Sequence, residues 1–104
     1  DDKFQHFADM IQKGLTQILA DVAGPEVCVP DEYRKERFIC LNWSHKFGCP
    51  DLEYDKDGVR GTLSFGGKEF YVKIPWGSVW MICRPEGGAD TRRVWKYDNL
   101  ENPL

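Results

Sequence analysis

The chain lacks any apolar run long enough to cross a bilayer: FICL at residues 38–41 and VWMIC at residues 79–83 are the longest, far short of the roughly 20 residues a spanning helix needs. Its first residues, DDKF, carry no signal-peptide pattern. Histidine is scarce, with only His6 and His45, and none of the four cysteines forms a CxxC pair. The closely spaced donors of a zinc site are therefore missing. Positive charge is not in excess either. Fourteen Lys and Arg against 17 Asp and Glu give a net charge of −3, which argues against broad affinity for a polyanion such as nucleic acid.

Catalytic signatures are equally sparse. Ser44 adjoins His45, but sequence neighbours point apart, whereas a nucleophile must lie within hydrogen-bond reach of its base. Asp51, Glu53, Asp55 and Asp57 form an acidic row without the spacing or terminal Glu of an EF-hand, so solvation of an exposed strand edge accounts for them. Gly66-Gly67 is followed by no Lys-Ser or Lys-Thr and leads into a strand, unlike a phosphate loop. The expectation is a binding module and not an enzyme, with no metal and no cofactor.

At 104 residues there is room for one domain around one modest core. Three of the four cysteines sit inside apolar runs, where a reduced thiol acts as a small hydrophobe, and this points to a reducing cytoplasm. Cys49, beside Gly48 and Pro50, is the one expected to be exposed.

The strongest local signal is VRGTLSFGGKEFYVKIP at residues 59–75. Val59, Leu63 and Phe65 share one side with Gly61, while Phe70, Val72 and Ile74 alternate with polar residues beyond the Gly66-Gly67 pair. A period of two on both sides of such a pair predicts a β-hairpin, because glycine takes the positive φ that hairpin turns demand. Ahead of it, Phe4, Phe7, Ile11, Leu15, Ile18 and Val22 recur at steps of three or four, which predicts an amphipathic helix over residues 1–22, ended by Gly24-Pro25. Heptads also fit, with Phe4, Ile11 and Ile18 at one seam position and Ala8, Leu15 and Val22 at the other, and Phe4, Phe7, Ile11, Leu15 and Ile18 are candidates for a homodimer interface. A face that covers a sheet fits them as well.

Residues 27–29 read as a short strand cut off by Pro30. RFICLNW at residues 37–43 has apolar residues on both faces, as expected of a central strand. Leu52 and Tyr54 alternate with acidic residues over residues 51–55, and residues 78–84 form a nearly continuous apolar strand. Five or six short strands at these spacings predict a small bent sheet or partly open barrel. The organisation is a single domain over residues 1–88, with a helical segment 1–24 and a β-domain 25–88, then a polar tail 89–104 with one apolar-basic knot at residues 92–97.

Large aromatics are more plentiful than a small core requires. Trp43 and Phe47 flank His45 and Lys46, and Tyr33, Phe65, Tyr71 and Trp76 lie elsewhere. The reading this favours is a groove for an extended peptide, in which an open sheet edge supplies main-chain hydrogen bonds. An Sm-like RNA-binding module using Lys46, Arg60 and Lys73, or a purely structural dimer, remain as alternatives.

The order of pieces resembles the stringent starvation protein B (SspB) family, adaptors that deliver tagged proteins to the ClpXP protease. The resemblance rests on VPxEY at residues 29–33, I-x-L-N at residues 39–42, and F-G-G followed by Ile74-Pro75. It implies an α+β, mostly β fold: an N-terminal helix and a strongly bent Sm-like antiparallel sheet. It also implies homodimerisation through the helix, no catalysis, a cytoplasmic site of action and ClpX as a partner. The implied ligand is the ssrA degradation tag. Carried onto this chain, one wall of its groove comprises Asn42, Trp43, Ser44, His45, Lys46 and Phe47, and the other comprises Ser64, Phe65, Gly66 and Gly67. The loop NWSHKFG is bulkier and more basic than that of better-known members. Family members end in a basic-apolar motif that docks on the unfoldase. Arg92, Arg93, Val94, Trp95 and Lys96 have that chemistry, although with so short a spacer a last strand or a packing segment is the preferred expectation.

Overall fold

The computed structural model describes residues 2–24, 26–45 and 49–95. Helix α1 (Asp2–Lys13) begins on an acidic residue and ends on a basic one, both favourable to its dipole. It buries Phe7, Met10 and Ile11. The helix is shorter than its periodicity predicts. Gly14 takes φ +149°, a backbone conformation open to glycine and rarely to other residues, and Arg84 Nη2 donates to the Lys13 carbonyl at 3.2 Å, satisfying one of the groups the helix end leaves orphaned. The chain then runs directly into strand β1 (Thr16–Asp21). Ile18 and Val22 fit a helical step, but Thr16, Ile18 and Ala20 alternate inward with a period of two, and that tertiary pattern prevails.

Strand β2 (Phe38–Trp43) follows a 3-10 turn at Asp31–Lys35. Next come β3 (Glu53–Tyr54), β4 (Gly58–Phe65), β5 (Lys68–Pro75), β6 (Val79–Cys83) and β7 (Arg93–Val94). They form two antiparallel sheets, in the orders β2-β1-β6-β7 and β3-β4-β5, and are not closed into a barrel. The architecture is α+β and mostly β, as expected. No helix among the described residues is long and apolar enough to cross a membrane.

The hairpin forms as its sequence predicts. Gly66 and Gly67 take φ +60° and +87°, the two positive values of a type I′ turn, and Phe65 pairs with Lys68 across it. Val59, Leu63, Val72 and Ile74 are buried. Phe70, expected to point into the core, is instead 36% exposed, although it pairs with the buried Leu63.

Three further expectations are corrected. Strand β2 is an edge strand, not a central one. Its residues Phe38 and Cys40 are exposed, although the Phe38 ring meets Trp80 edge-on at 4.9 Å and the Arg37 guanidinium lies 5.2 Å from its centroid. Residues 27–29 form no strand, and only Cys28 bridges, exchanging two 3.0 Å backbone bonds with Lys73. Cys49 is buried, packed against the bare backbone of Gly61.

The core fills the space between the sheets and α1. Phe7 reaches Tyr54 and Trp76 at centroid distances of 5.3 and 5.6 Å. Lys3 is buried beside them, donating to the Trp76 carbonyl at 3.0 Å.

Candidate functional site

The reciprocal bonds between Cys28 and Lys73 lie on the outer edge of β5. Main-chain polar groups alternate between the two sides of a strand, so Lys68, Phe70, Val72 and Ile74 are the residues that bond β4. Their partners are Phe65, Leu63, Gly61 and Val59. The intervening Gly58, Arg60, Thr62 and Ser64 therefore direct their backbone groups to the other edge of β4. There the Gly58 carbonyl accepts from Asp55, and Arg60 pairs with Glu53 of β3. Thr62 is held by Asp51: its amide donates to Oδ1 at 2.8 Å and its hydroxyl to Oδ2 at 2.7 Å. Beyond Thr62 the edge carries no further strand, and the backbone of Ser64 is open among the described residues.

A second open edge lies on β2. Val22 donates to the Arg37 carbonyl at 2.8 Å, so by the same alternation Ile39, Leu41 and Trp43 bond β1, while Phe38, Cys40 and Asn42 face outward. Trp43 connects the two edges. It is fully buried, and its Cζ3 lies 3.4 Å from where a Cβ on Gly61 would stand. The indole therefore packs between β2 and β4. Its Nε1 is buried without an acceptor among the described residues.

The other expected groove residues separate into groups. Asn42 is exposed and its side-chain oxygen accepts from Gln17 at 3.1 Å. Ser44 is buried and His45 exposed. Both line a cleft of about 470 Å³ with Ile11, Lys13, Leu15 and Glu86, at the end of α1. Lys46 and Phe47 lie outside the described residues. On β4, Ser64 is exposed together with Gly66 and Gly67, while the half-buried Phe65 stacks on Tyr33 at 4.9 Å. The structure thus joins the two expected walls through Trp43, Gly61, Cys49, Asp51 and Thr62. Of these, Asp51 keeps the exposure expected of the acidic row and in addition accepts from Thr62. The Pro-Asp step after a buried cysteine was the only trace of its role in the sequence.

Tyr33 belongs to the 3-10 turn, which is fastened to the first sheet because Arg34 donates to the carbonyls of Val22, at 3.4 Å, and Val27. The VPxEY segment thereby props Phe65 through Tyr33.

Electrostatically the β4 edge is acidic. Arg60 bonds Asp55 at 3.0 Å and Glu53 at 3.3 Å. Its guanidinium, helped by the Asp57 amide, holds the Asp55 carboxyl down to about 2. The Thr62 amide and hydroxyl hold Asp51 below the usual carboxylate range. Burial, with Asp51 adding to it, pushes the Cys49 thiol up to about 11, which makes it a poor nucleophile. Among the described residues, no three His, Cys, Asp or Glu side chains gather as a metal-holding group.

The candidate dimer residues lie mostly inside. Phe7 and Ile11 on α1 and Ile18 on β1 are buried in their own chain's core. Phe4 and Leu15 keep partial exposure. In the tail, Arg93 and Val94 pair with Ile82 and Met81, and the Trp95 amide donates to the Trp80 carbonyl at 2.8 Å. This is the last strand that the sequence favoured, and docking elsewhere through this knot would require β7 to leave β6. Arg92 is exposed, and Lys96 lies outside the described residues.

The SspB family, stringent starvation protein B, matches residues 4–97, a span that contains the helix, both sheets, the Tyr33–Phe65 prop and the open edge of β4. The chain therefore belongs to the stringent starvation protein B family, adaptors of the ClpXP protease.

Proposed function

We propose that the chain binds an extended ssrA-type peptide tag along the open edge of β4, above Trp43, and delivers the tagged protein to ClpXP in the cytoplasm. The observation that carries this reading is the unpaired β4 edge at Ser64, set between the Tyr33–Phe65 stack and the Asp51 clamp. An extended peptide placed there gains main-chain hydrogen bonds worth about 0.5–1.5 kcal/mol each net, and adjacent aromatic surface receives its side chains. Delivery then works by linkage, because a tethered substrate meets the protease at raised effective concentration. No chemical step is asked of the adaptor.

Fluorescence polarisation with a labelled ssrA-type peptide tests the reading. Saturable binding that weakens in Phe65→Ala is expected. Absence of saturable binding at high micromolar protein sinks it. Binding of an oligonucleotide with steep salt dependence would favour the RNA alternative.

A further inference from the structure

We propose that Asp51 sets the charge preference of the tag: a peptide on the open β4 edge meets this carboxylate at its Thr62 end, so the site favours a basic or neutral residue there and rejects an acidic one. The inference rests on the peptide reading above and adds to it a selecting residue.

Geometry supplies the first argument. Of the outward-facing positions on β4, Gly58 and Arg60 are already paired with the chain's own backbone, and Thr62 has its amide donated to Asp51 at 2.8 Å. A ligand strand can extend from Ser64 only as far as Thr62. At that point the next pairing position is filled by a side chain, which ends the ladder as a capping residue ends a helix.

Charge supplies the second. Oδ1 accepts from the Thr62 amide and, at 3.7 Å, from the Cys49 thiol, while Oδ2 accepts from the Thr62 hydroxyl at 2.7 Å. A carboxylate offers about four lone-pair sites, so these bonds fix its position without neutralising it, and Asp51 stays exposed. The cation on the same edge, Arg60, is engaged by Asp55 and Glu53. Nothing among those contacts cancels the Asp51 charge. A neutral Asn at this position would keep an acceptor for the Thr62 amide and lose the selection.

The test is a competition series in fluorescence polarisation. A labelled ssrA-type peptide is displaced by variants in which one lysine or one glutamate replaces each residue in turn, against the unaltered protein and Asp51→Asn. At one peptide position the lysine variant should bind about fivefold tighter than the glutamate variant, the scale of exposed charge pairs. That ratio should shrink in high salt and fall to about one in Asp51→Asn. The salt series on the unaltered protein gives the same readout if the variant does not fold. A lysine-to-glutamate ratio that at every position is independent of salt, or is the same in both proteins, overturns the inference while leaving peptide binding intact. Absence of saturable binding by any peptide overturns both.

Discussion

The ring of Tyr33 stacks on Phe65 at a centroid distance of 4.9 Å and a tilt of 42°, joining the turn before β2 to the end of β4. These residues are 32 apart in sequence, and no other ring contact ties that turn to the hairpin among the described residues. Aromatic pairs of this geometry contribute about 0.5–1.5 kcal/mol beyond their buried area. Tyr33→Ala should therefore lower thermal stability modestly and weaken peptide binding severalfold, because Phe65 loses its support. Tyr33→Phe should preserve both. Melting curves and polarisation on the two variants check this, and equal peptide affinity in Tyr33→Ala and the unaltered protein would refute the supporting role.

Gly61 faces Cys49 with no room between them. A Cβ there would stand 2.5 Å from the Cys49 Sγ and 3.2 Å from the Leu52 Cα. Gly61→Ala should cost about 1–3 kcal/mol through overpacking and displace the segment that carries Asp51. Adding Cys49→Ala removes the sulfur and should recover part of the loss, leaving the Leu52 contact as the residue of strain. Denaturant titration of the single and double variants gives the coupling. Strict additivity would show that the two positions do not press on each other.

Much of the fold was legible where local and tertiary signals agreed. Residues 59–75 have alternation, turn glycines and burial all pointing the same way. The helix was overextended because Ile11, Leu15, Ile18 and Val22 satisfy a helical step, and only the Gly14 dihedral decides where the helix stops. Edge and centre could not be told apart for β2, since the Phe38 ring meets Trp80 from another strand. The candidate site was legible by region but not by role. Trp43, expected beside a ligand, is fully buried against Gly61, and Asp51, exposed as expected, also accepts from Thr62. Both roles depend on partners at least ten residues away along the chain, which no periodicity encodes.

Trp43 combines full burial with an Nε1 that lacks an acceptor among the described residues. An unsatisfied buried donor costs about 1–3 kcal/mol, and truncation of a buried aromatic to alanine costs about 3–5 kcal/mol. Trp43→Phe removes the donor while keeping most of the ring, so it should be much better tolerated than Trp43→Ala. Chemical denaturation of both variants measures the gap. A Phe variant as unstable as the Ala variant would mean that the indole nitrogen carries a favourable interaction.

The four thiols should differ sharply in reactivity. Cys28 and Cys40 are exposed, Cys83 is half-buried and Cys49 is buried, with its thiol pushed up to about 11. Timed alkylation at mildly alkaline pH, followed by mass spectrometry, should modify Cys28 and Cys40 first and Cys49 only on unfolding, because the thiolate is the nucleophile. Early modification of Cys49 would contradict its packing against Gly61.

The Arg60–Asp55 pair predicts an acid limit with a defined sign. The Arg60 guanidinium, with the Asp57 amide, holds Asp55 down to about 2, against about 3.9 for an unfolded aspartate. A carboxylate depressed in the folded state contributes stability that is fully present above the unfolded value and disappears as pH falls through the folded one. The melting temperature of the unaltered protein should accordingly exceed that of Arg60→Gln at neutral pH, and the difference should narrow between about pH 4 and about pH 2. Comparing the two proteins removes the acid sensitivity of the carboxylates that do not touch Arg60, Asp51 included, and leaves the pairs with Asp55 and Glu53. A difference that stays constant across that window would show that Arg60 stabilises the edge of β4 through its packing and not through the charges on Asp55 and Glu53.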